Sequence, residues 1–383
     1  MKILIIQPWV SWRGAETVSV LEAYYLNKLG HTASIVCLYV DRDRLPPHGD
    51  EVGYILPAKL VSSLFRKSKL FFYLFNIPCL FWLVYKNSKK ADILNPHNLP
   101  SPWIAALVKQ FKNVKIVLTV HGVPPEAGFA KSKINIFLWN LGLKYLDIWA
   151  VRKADFIFSV SEKISKKLLN RYNVRSSVLY PPIEYEIYSG GSGDAVRKRL
   201  GIAEEAFVLL HVSELNPVKR PDLSLRVLAA VKNKIKKVVL VFVGSDNNKA
   251  WISNLADTQG VSDRVFFSGY ASPCSLKDYF AASDLVLTPY WKSEGCPVVP
   301  LQALMAHKMS IVAYGSGVDE IIGRENLGIV VRPDANDFAK AVLFYYKNRQ
   351  RFSRRIAAGK KYVEENFSSR RYVENIISIL KSG

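Results

Sequence analysis

Short apolar runs alternate with helical patterns along this chain of 383 residues, and the alternation happens twice. In the first half, KILIIQPW is followed by TVSVLEAYYLNKLG, whose apolar residues recur at helical spacing and which ends at Gly30, a natural helix stop. TASIVCLYV reads as the next strand. Asp92–Pro96, Lys115–Val120, Phe156–Val160 and Val178–Tyr180 are further strand candidates, with SPWIAALVKQF and EKISKKLLNRY as helices between them. The pattern lapses around 184–206, where GGSG at 190–193 reads as a flexible junction. It restarts with FVLLHVS, VVLVFVGS, VFFSGY, LVLTPY, SIVAYG and the shorter LGIVVRP. Strands and helices in alternation build a parallel, doubly wound sheet. The chain is therefore expected to be an α/β protein of two such domains, 1–184 and 185–365, with a last helix at about 366–383 packing back on the first. Ligands of open α/β sheets bind beyond the carboxyl ends of the strands, so two sheets facing each other predict a cleft between domains.

Charge is the outlier in the composition. Lys and Arg number 53 against 32 Asp and Glu, a formal net charge of +21, and such a field attracts anions. No helix-turn-helix, zinc-finger or RNA-binding signature accompanies it, so nucleic acid is not the expected partner. Cys37, Cys79, Cys274 and Cys296 form no C-x-x-C pair, which argues against a zinc site or a disulfide framework and for a reducing compartment. MKILIIQPWVSWRGAE reads as a first buried strand rather than a signal peptide. Asp41-Arg42-Asp43 matches the Asp-x-Asp pattern of metal-dependent sugar transfer but reads as a solvated turn; neither a metal ion nor a cofactor is expected.

The segment with the most specific chemistry is Glu294 to Lys308, EGCPVVPLQALMAHK, which follows the strand LVLTPYW and opens a helix. Pro297 and Pro300 fit a loop and a first helical turn. A helix start offers free N–H groups and positive dipole to a phosphate. Glu294 is placed in the loop to accept from sugar hydroxyls, and Gln302 about a turn into the helix to reach a ribose. The plain alternative is an ordinary capped helix behind a strand.

Here the chain resembles the GT4 family of retaining glycosyltransferases, which have the GT-B fold of two Rossmann-like domains. The family's mark is a Glu, seven residues, and a second Glu at a helix start; this chain has Glu294, then GCPVVPL, then Gln302 in the second place. ASDLVLTPY before it and SIVAYGSGVDEII and LGIVVRPDANDFAKAV after it keep the family's order, as do WRGAETVSVLEAYYLNKLGH, TVHG and KADFIFSVSEKISKKLLNRY in the first half. The resemblance thus spans nearly the whole chain. It implies a nucleotide-sugar donor, UDP- or GDP-linked, held by the second domain, with Gly295, Cys296, Pro297, Val298 and Val299 around its diphosphate. Gly14 and Ala15 occupy the family's glycine-rich turn after the first strand, and His121 stands where a family His lies near the reacting sugar and acceptor. HVSELNPVKRPDL corresponds to the family's phosphate-gripping turn: Lys219 matches its Lys, Ser213 stands for its Gly and Glu214 for its Arg. A carboxylate repels a diphosphate. Either Lys219 and Arg220 supply the charge, or Glu214 turns away, or the chain is a donor-binding protein without turnover. The other histidines carry no comparable placement.

From Val52 to Ala91 there is no Asp or Glu, while Lys59, Arg66, Lys67, Lys69, Lys86, Lys89 and Lys90 flank Phe71, Phe72, Phe75 and Trp82 among other aromatics. Cations around an aromatic, apolar centre suit an anionic membrane interface. INIFLWNLGLKYLDIWAVRK has similar chemistry, and core helices with basic ends are the alternative for both. The expected acceptor is a lipid-linked or membrane-associated glycan, and the expected location the cytoplasmic face of a membrane, bound peripherally.

Overall fold

The computed structural model describes residues 1–58, 75–124, 142–290 and 295–382. Its contacts divide the chain into two compact units, Met1–Pro182 with Ser369–Gly383, and Ile183–Ser368.

The first unit is built on a parallel sheet of β1 (Lys2–Ile6), β3 (Thr32–Val36), β5 (Gly53–Ile55), β6 (Ile93–Pro96), β7 (Lys115–Val120), β8 (Phe156–Ser159) and β9 (Ser177–Val178), in the order β5-β3-β1-β6-β7-β8-β9. β2 (Trp9–Val10) and β4 (Tyr39–Val40) pair separately. Parallel strands are covered on both faces, and β1 and β7 are accordingly buried at every residue but the first. The helix Gly14–Lys28 crosses from β1 towards β3, with Val18, Val20, Leu21, Ala23 and Leu26 buried. It stops because Gly30 takes a φ of 81°, a conformation that costs other residues strain. Ser161 starts the helix Glu162–Tyr172 by accepting the N–H of Ile164 on its hydroxyl. The last helix, Ser369–Ser382, lays Tyr372, Val373 and Ile376 into the core that holds Ile5, Val18 and Ile35.

The second unit repeats the design. β10 (Phe207–Val212), β11 (Val238–Val243), β12 (Val265–Phe267), β13 (Leu285–Thr288), β14 (Met309–Ala313) and β15 (Ile329–Val331) run in the order β12-β11-β10-β13-β14-β15. Numbered within the unit, that is the doubly wound order 3-2-1-4-5-6. The GGSG stretch is a tight contact and not the flexible junction its composition suggests. A Cβ on Gly191 would lie 2.3 Å from the Lys277 carbonyl oxygen, and one on Gly193 2.6 Å from the Ala282 nitrogen. The glycines let this stretch press against the helix Pro273–Ala282, and Ser192 donates its N–H to Asp278 at 2.9 Å.

Arg66, Lys67, Lys69, Phe71 and Phe72 lie outside the described residues. The apolar stretch they lead into becomes the helix Ile77–Asn87, which Pro78 helps to start and which buries Leu80 and Val84. Phe75 and Trp82 are exposed, at 51% and 61%. Of the second aromatic segment, the helix Lys144–Arg152 is a core element on one face: Asp147 is buried and accepts from Trp103 Nε1 and Tyr172 Oη. No helix among the described residues is long and apolar enough to cross a membrane.

The packing of Gly193 yields a direct expectation. Gly193→Ala forces a backbone clash and should cost about 1–3 kcal/mol, read as a fall in thermal midpoint of several degrees. An unchanged midpoint would mean that this contact is not made.

Candidate functional site

The strand order of the second sheet reverses between β10 and β13, and a doubly wound sheet binds ligands in the crevice such a reversal opens. The chain leaving β10 there is HVSELNPVKRPDL. It can turn sharply because Gly244, with a φ of 151°, sits where a Cβ would come within 1.9 Å of the Ser213 carbonyl oxygen. Asn216 shapes the next turn by accepting the N–H groups of Val218 and Lys219 on Oδ1, at 3.0 and 3.2 Å, ahead of Pro217.

The same asparagine settles where Glu214 points. Asn216 Nδ2 donates to Oε2 of Glu214 at 3.2 Å, and Asn247 Nδ2 donates to Oε1 at 3.3 Å. The carboxylate is thus held by two amides of its own unit. Arg220, expected to share the phosphate grip, turns its guanidinium on Asp222, with Nε to Oδ1 at 3.0 Å. Lys219 Nζ instead stands 4.7 Å from the centre of the Tyr290 ring, which follows β13. Tyr290 is buried and donates its hydroxyl to the Val212 carbonyl, so it fastens the two strand ends on either side of the reversal. Beneath lies His211, with Nδ1 2.8 Å from Ser224 Oγ and Nε2 2.7 Å from Ser213 Oγ. Burial, with Lys219 nearby, pushes its imidazole down to about 3.

Glu294 lies outside the described residues. Gly295 and Cys296 are half-buried, Pro297 is buried, and the chain enters the helix Val299–Met305 at Val298 with no side chain capping it. Gln302 is buried and donates Nε2 to Tyr188 Oη at 2.9 Å. Its Oε1 and the second N–H of Nε2 remain for a ribose.

In the first sheet the order reverses between β1 and β6. Gly14 and Ala15 form the first turn of the helix Gly14–Lys28, not a separate turn before it. A Cβ on Gly14 would meet nothing within 4 Å, so packing inside the protein does not call for glycine there. Beside this helix stands a buried polar row that the sequence reading missed. Asn95 Nδ2 donates to Oε1 of Glu22 at 3.0 Å, Glu22 Oε2 lies 3.6 Å from His97 Nε2, and His97 Nδ1 lies 2.9 Å from Nε2 of His121. Burial lifts Glu22 to about 8 and Glu16 to about 7, and pushes His121 down to about 4. His97 is also held well below the usual imidazole range, by burial and by His121. One signal of the row was legible: Glu22 falls between Val18 and Leu26 at four-residue spacing, a carboxyl on the apolar face of a helix.

Comparison with known proteins matches each unit to a family. Residues 12–186 match the model of Glycosyltransferase Family 4, and residues 193–362 that of Glycosyl transferases group 1. The chain belongs to the GT4-type glycosyltransferases. A D-inositol 3-phosphate glycosyltransferase of Stackebrandtia nassauensis is 26% identical over 205 residues, covering 50% of this chain and 46% of the relative. The chain thus spans about half the length of the curated relatives it matches. Among solved structures, Anabaena Alr3699/HepE in complex with UDP-glucose superposes with a TM-score of 0.80 at 16% identity, covering 100% of both chains. WaaG, a glycosyltransferase involved in lipopolysaccharide biosynthesis, gives 0.66 at 19% identity over 97% of this chain and 95% of that one. These likenesses establish the GT-B fold.

The buried carboxyl of Glu22 makes stability depend on pH with a defined sign. The folded protein keeps a proton up to about pH 8 that the unfolded chain loses near 4.5. The stability this contributes is full below the unfolded value and is lost as pH rises towards the folded one, at up to about 1.4 kcal/mol per pH unit. The buried His97, His121 and His211 oppose this: they stay neutral in the folded protein, while the unfolded chain takes up protons on them as the pH falls towards 6.5. Urea unfolding should therefore show a net gain of about 1 kcal/mol from pH 8 to 6.5, turned into a small loss in Glu22→Gln. A flat profile in the native protein would contradict the assignment.

Proposed function

We propose that this protein transfers a sugar from a UDP- or GDP-linked donor to a lipid-linked or membrane-associated acceptor, with retention at the anomeric carbon. The observation that carries the reading is Lys219, set over Tyr290 at the reversal of the second sheet. A cation there neutralises the charge that develops on a leaving diphosphate, the electrostatic part of such catalysis. Asn216 and Asn247 fix the Glu214 carboxylate by hydrogen bonds, and Lys219 supplies the positive charge. The start of the helix Val299–Met305, which no side chain caps at Val298, supplies backbone N–H groups to the same diphosphate. Glu294 accepts from the sugar hydroxyls, Gln302 offers Oε1 to the ribose, and His121 orients the acceptor. We assign no covalent carboxylate and route no step through a metal ion. The family match and the UDP-glucose complex of a protein with this fold support the donor class.

The acceptor reading rests on the helix Ile77–Asn87. Its exposed face carries Trp82 and Lys86 beside Tyr85, which meets exposed Phe111 edge-on at 6.3 Å and has Lys112 4.6 Å from its ring centre. Aromatic rings and snorkelling lysines together suit headgroup depth on an anionic leaflet. A second reading, donor binding without turnover, is favoured by Glu214 and Gln302 standing where the resembled family has Arg and Glu.

Transfer of label from a panel of nucleotide-sugars to lipid extract separates these readings. The proposal expects transfer, with kcat/KM down about 10²–10³-fold in Lys219→Ala and a comparable loss in Glu294→Ala. Donor-induced thermal stabilisation without transfer would favour the second reading; normal transfer by Lys219→Ala would remove the site assignment. Flotation with phosphatidylserine vesicles at low salt should carry the protein to the lipid fraction, more weakly for Trp82→Ala. No flotation would leave the membrane reading without support.

A further inference from the structure

The buried row Glu22–His97–His121 contains an unclosed link. Glu22 Oε2 and His97 Nε2 are both buried without a hydrogen-bond partner, 3.6 Å from each other. A buried polar atom left unpaired is unfavourable, and a shift of a few tenths of an ångström would pair each with the other. The next link is already made: His97 Nδ1 and His121 Nε2 stand at 2.9 Å. In a bond between two neutral imidazoles one nitrogen carries the proton and the other accepts it.

These geometric facts couple the three side chains. If Glu22 holds its proton, it donates to His97 Nε2; His97 then carries its proton on Nδ1 and donates to His121 Nε2, and the proton of His121 sits on Nδ1. If Glu22 is ionised, it accepts from His97 Nε2; His97 Nδ1 then accepts from His121 Nε2, and Nδ1 of His121 is a bare acceptor. The two arrangements differ by one proton, and Nδ1 is the nitrogen of half-buried His121 not engaged by His97. We propose that Glu22 and His97 are positioning residues that set the tautomer of His121, so that the buried carboxyl decides whether His121 presents a donor or an acceptor to its ligand. This rests on the proposed acceptor role of His121 only for its consequence; the coupling itself is a property of the folded chain.

The surroundings of Glu22 favour the protonated arrangement near neutral pH. Asn95 Nδ2 donates to its other oxygen in both arrangements. Tyr372, from the helix Ser369–Ser382, brings a buried, unpartnered hydroxyl held well above its usual range by burial and by Glu22. Among the described residues no lysine or arginine pairs with Glu22, and burial lifts it to about 8. His121 is thereby a donor at Nδ1 at pH 7. It turns into an acceptor as the pH passes the midpoint of Glu22.

Nitrogen-15 NMR of the histidine rings in the full chain tests this, with the His121 signals assigned by His121→Asn. The expected result is a swap of the protonated nitrogen in His97 and His121 together, with one midpoint near pH 8. Glu22→Gln, whose amide cannot ionise, should remove the swap. Absence of a swap in the native protein, or its persistence in Glu22→Gln, would overturn the proposal. Should Glu22→Gln fail to fold, the native titration alone decides, since two rings changing tautomer at one midpoint is not expected of a merely packed cluster. Donor-induced thermal stabilisation is read in parallel; its loss would count against the donor site without touching the tautomer result.

Discussion

Each of the two large sheets reverses its strand order once, and that reversal fixes where polar chemistry can gather. The crossovers leaving β1 and β6 depart in opposite directions, as do those leaving β10 and β13, so the sheet's helices part at these points and strand ends lie open. The backbone amides and carbonyls there have no ladder to complete, which makes them available to a ligand. In the second unit Tyr290 bridges the opening to Val212 while Lys219 lies over its ring. In the first unit the same place collects His97 and His121.

A second constraint is burial without charge. His97, His121 and His211 are all held below their ordinary range, and Glu16 and Glu22 above theirs. All five are pushed towards the neutral form by desolvation. The polar rows at the strand ends therefore work as hydrogen-bond networks and not as ion pairs, while the net charge of +21 is carried elsewhere. In a low-dielectric setting a fully paired network fixes geometry, and a half-paired one marks a place where a proton or a ligand completes it.

Much of the fold was legible because parallel strands covered on both faces are written as unbroken apolar runs. Lys115–Val120 and the helix Glu162–Tyr172 have the limits their pattern suggested. GGSG misled because glycine composition is the same for a loose linker and for a backbone pressed against a helix; only the neighbouring Lys277 and Ala282 tell them apart. The candidate site could be proposed from sequence where one short segment carries it, as in the turn from Ser213 to Arg220. It was not legible where partners come from distant elements. Asn247 holds Glu214 across 33 residues, and Glu22 reaches Asn95 across 73. Arg220 beside Lys219 reads as a second cation until Asp222 is seen to take it. No spacing rule announces such pairs, because they arise from the order of strands in the sheet.

In the proposed function the donor's diphosphate binds at the reversal of the second sheet. Hydrogen–deuterium exchange of the whole chain with and without UDP tests it most directly. Slowed exchange confined to amides around 213–220 and 295–302 is the predicted result. Protection elsewhere, with these two segments unchanged by saturating UDP, would contradict it.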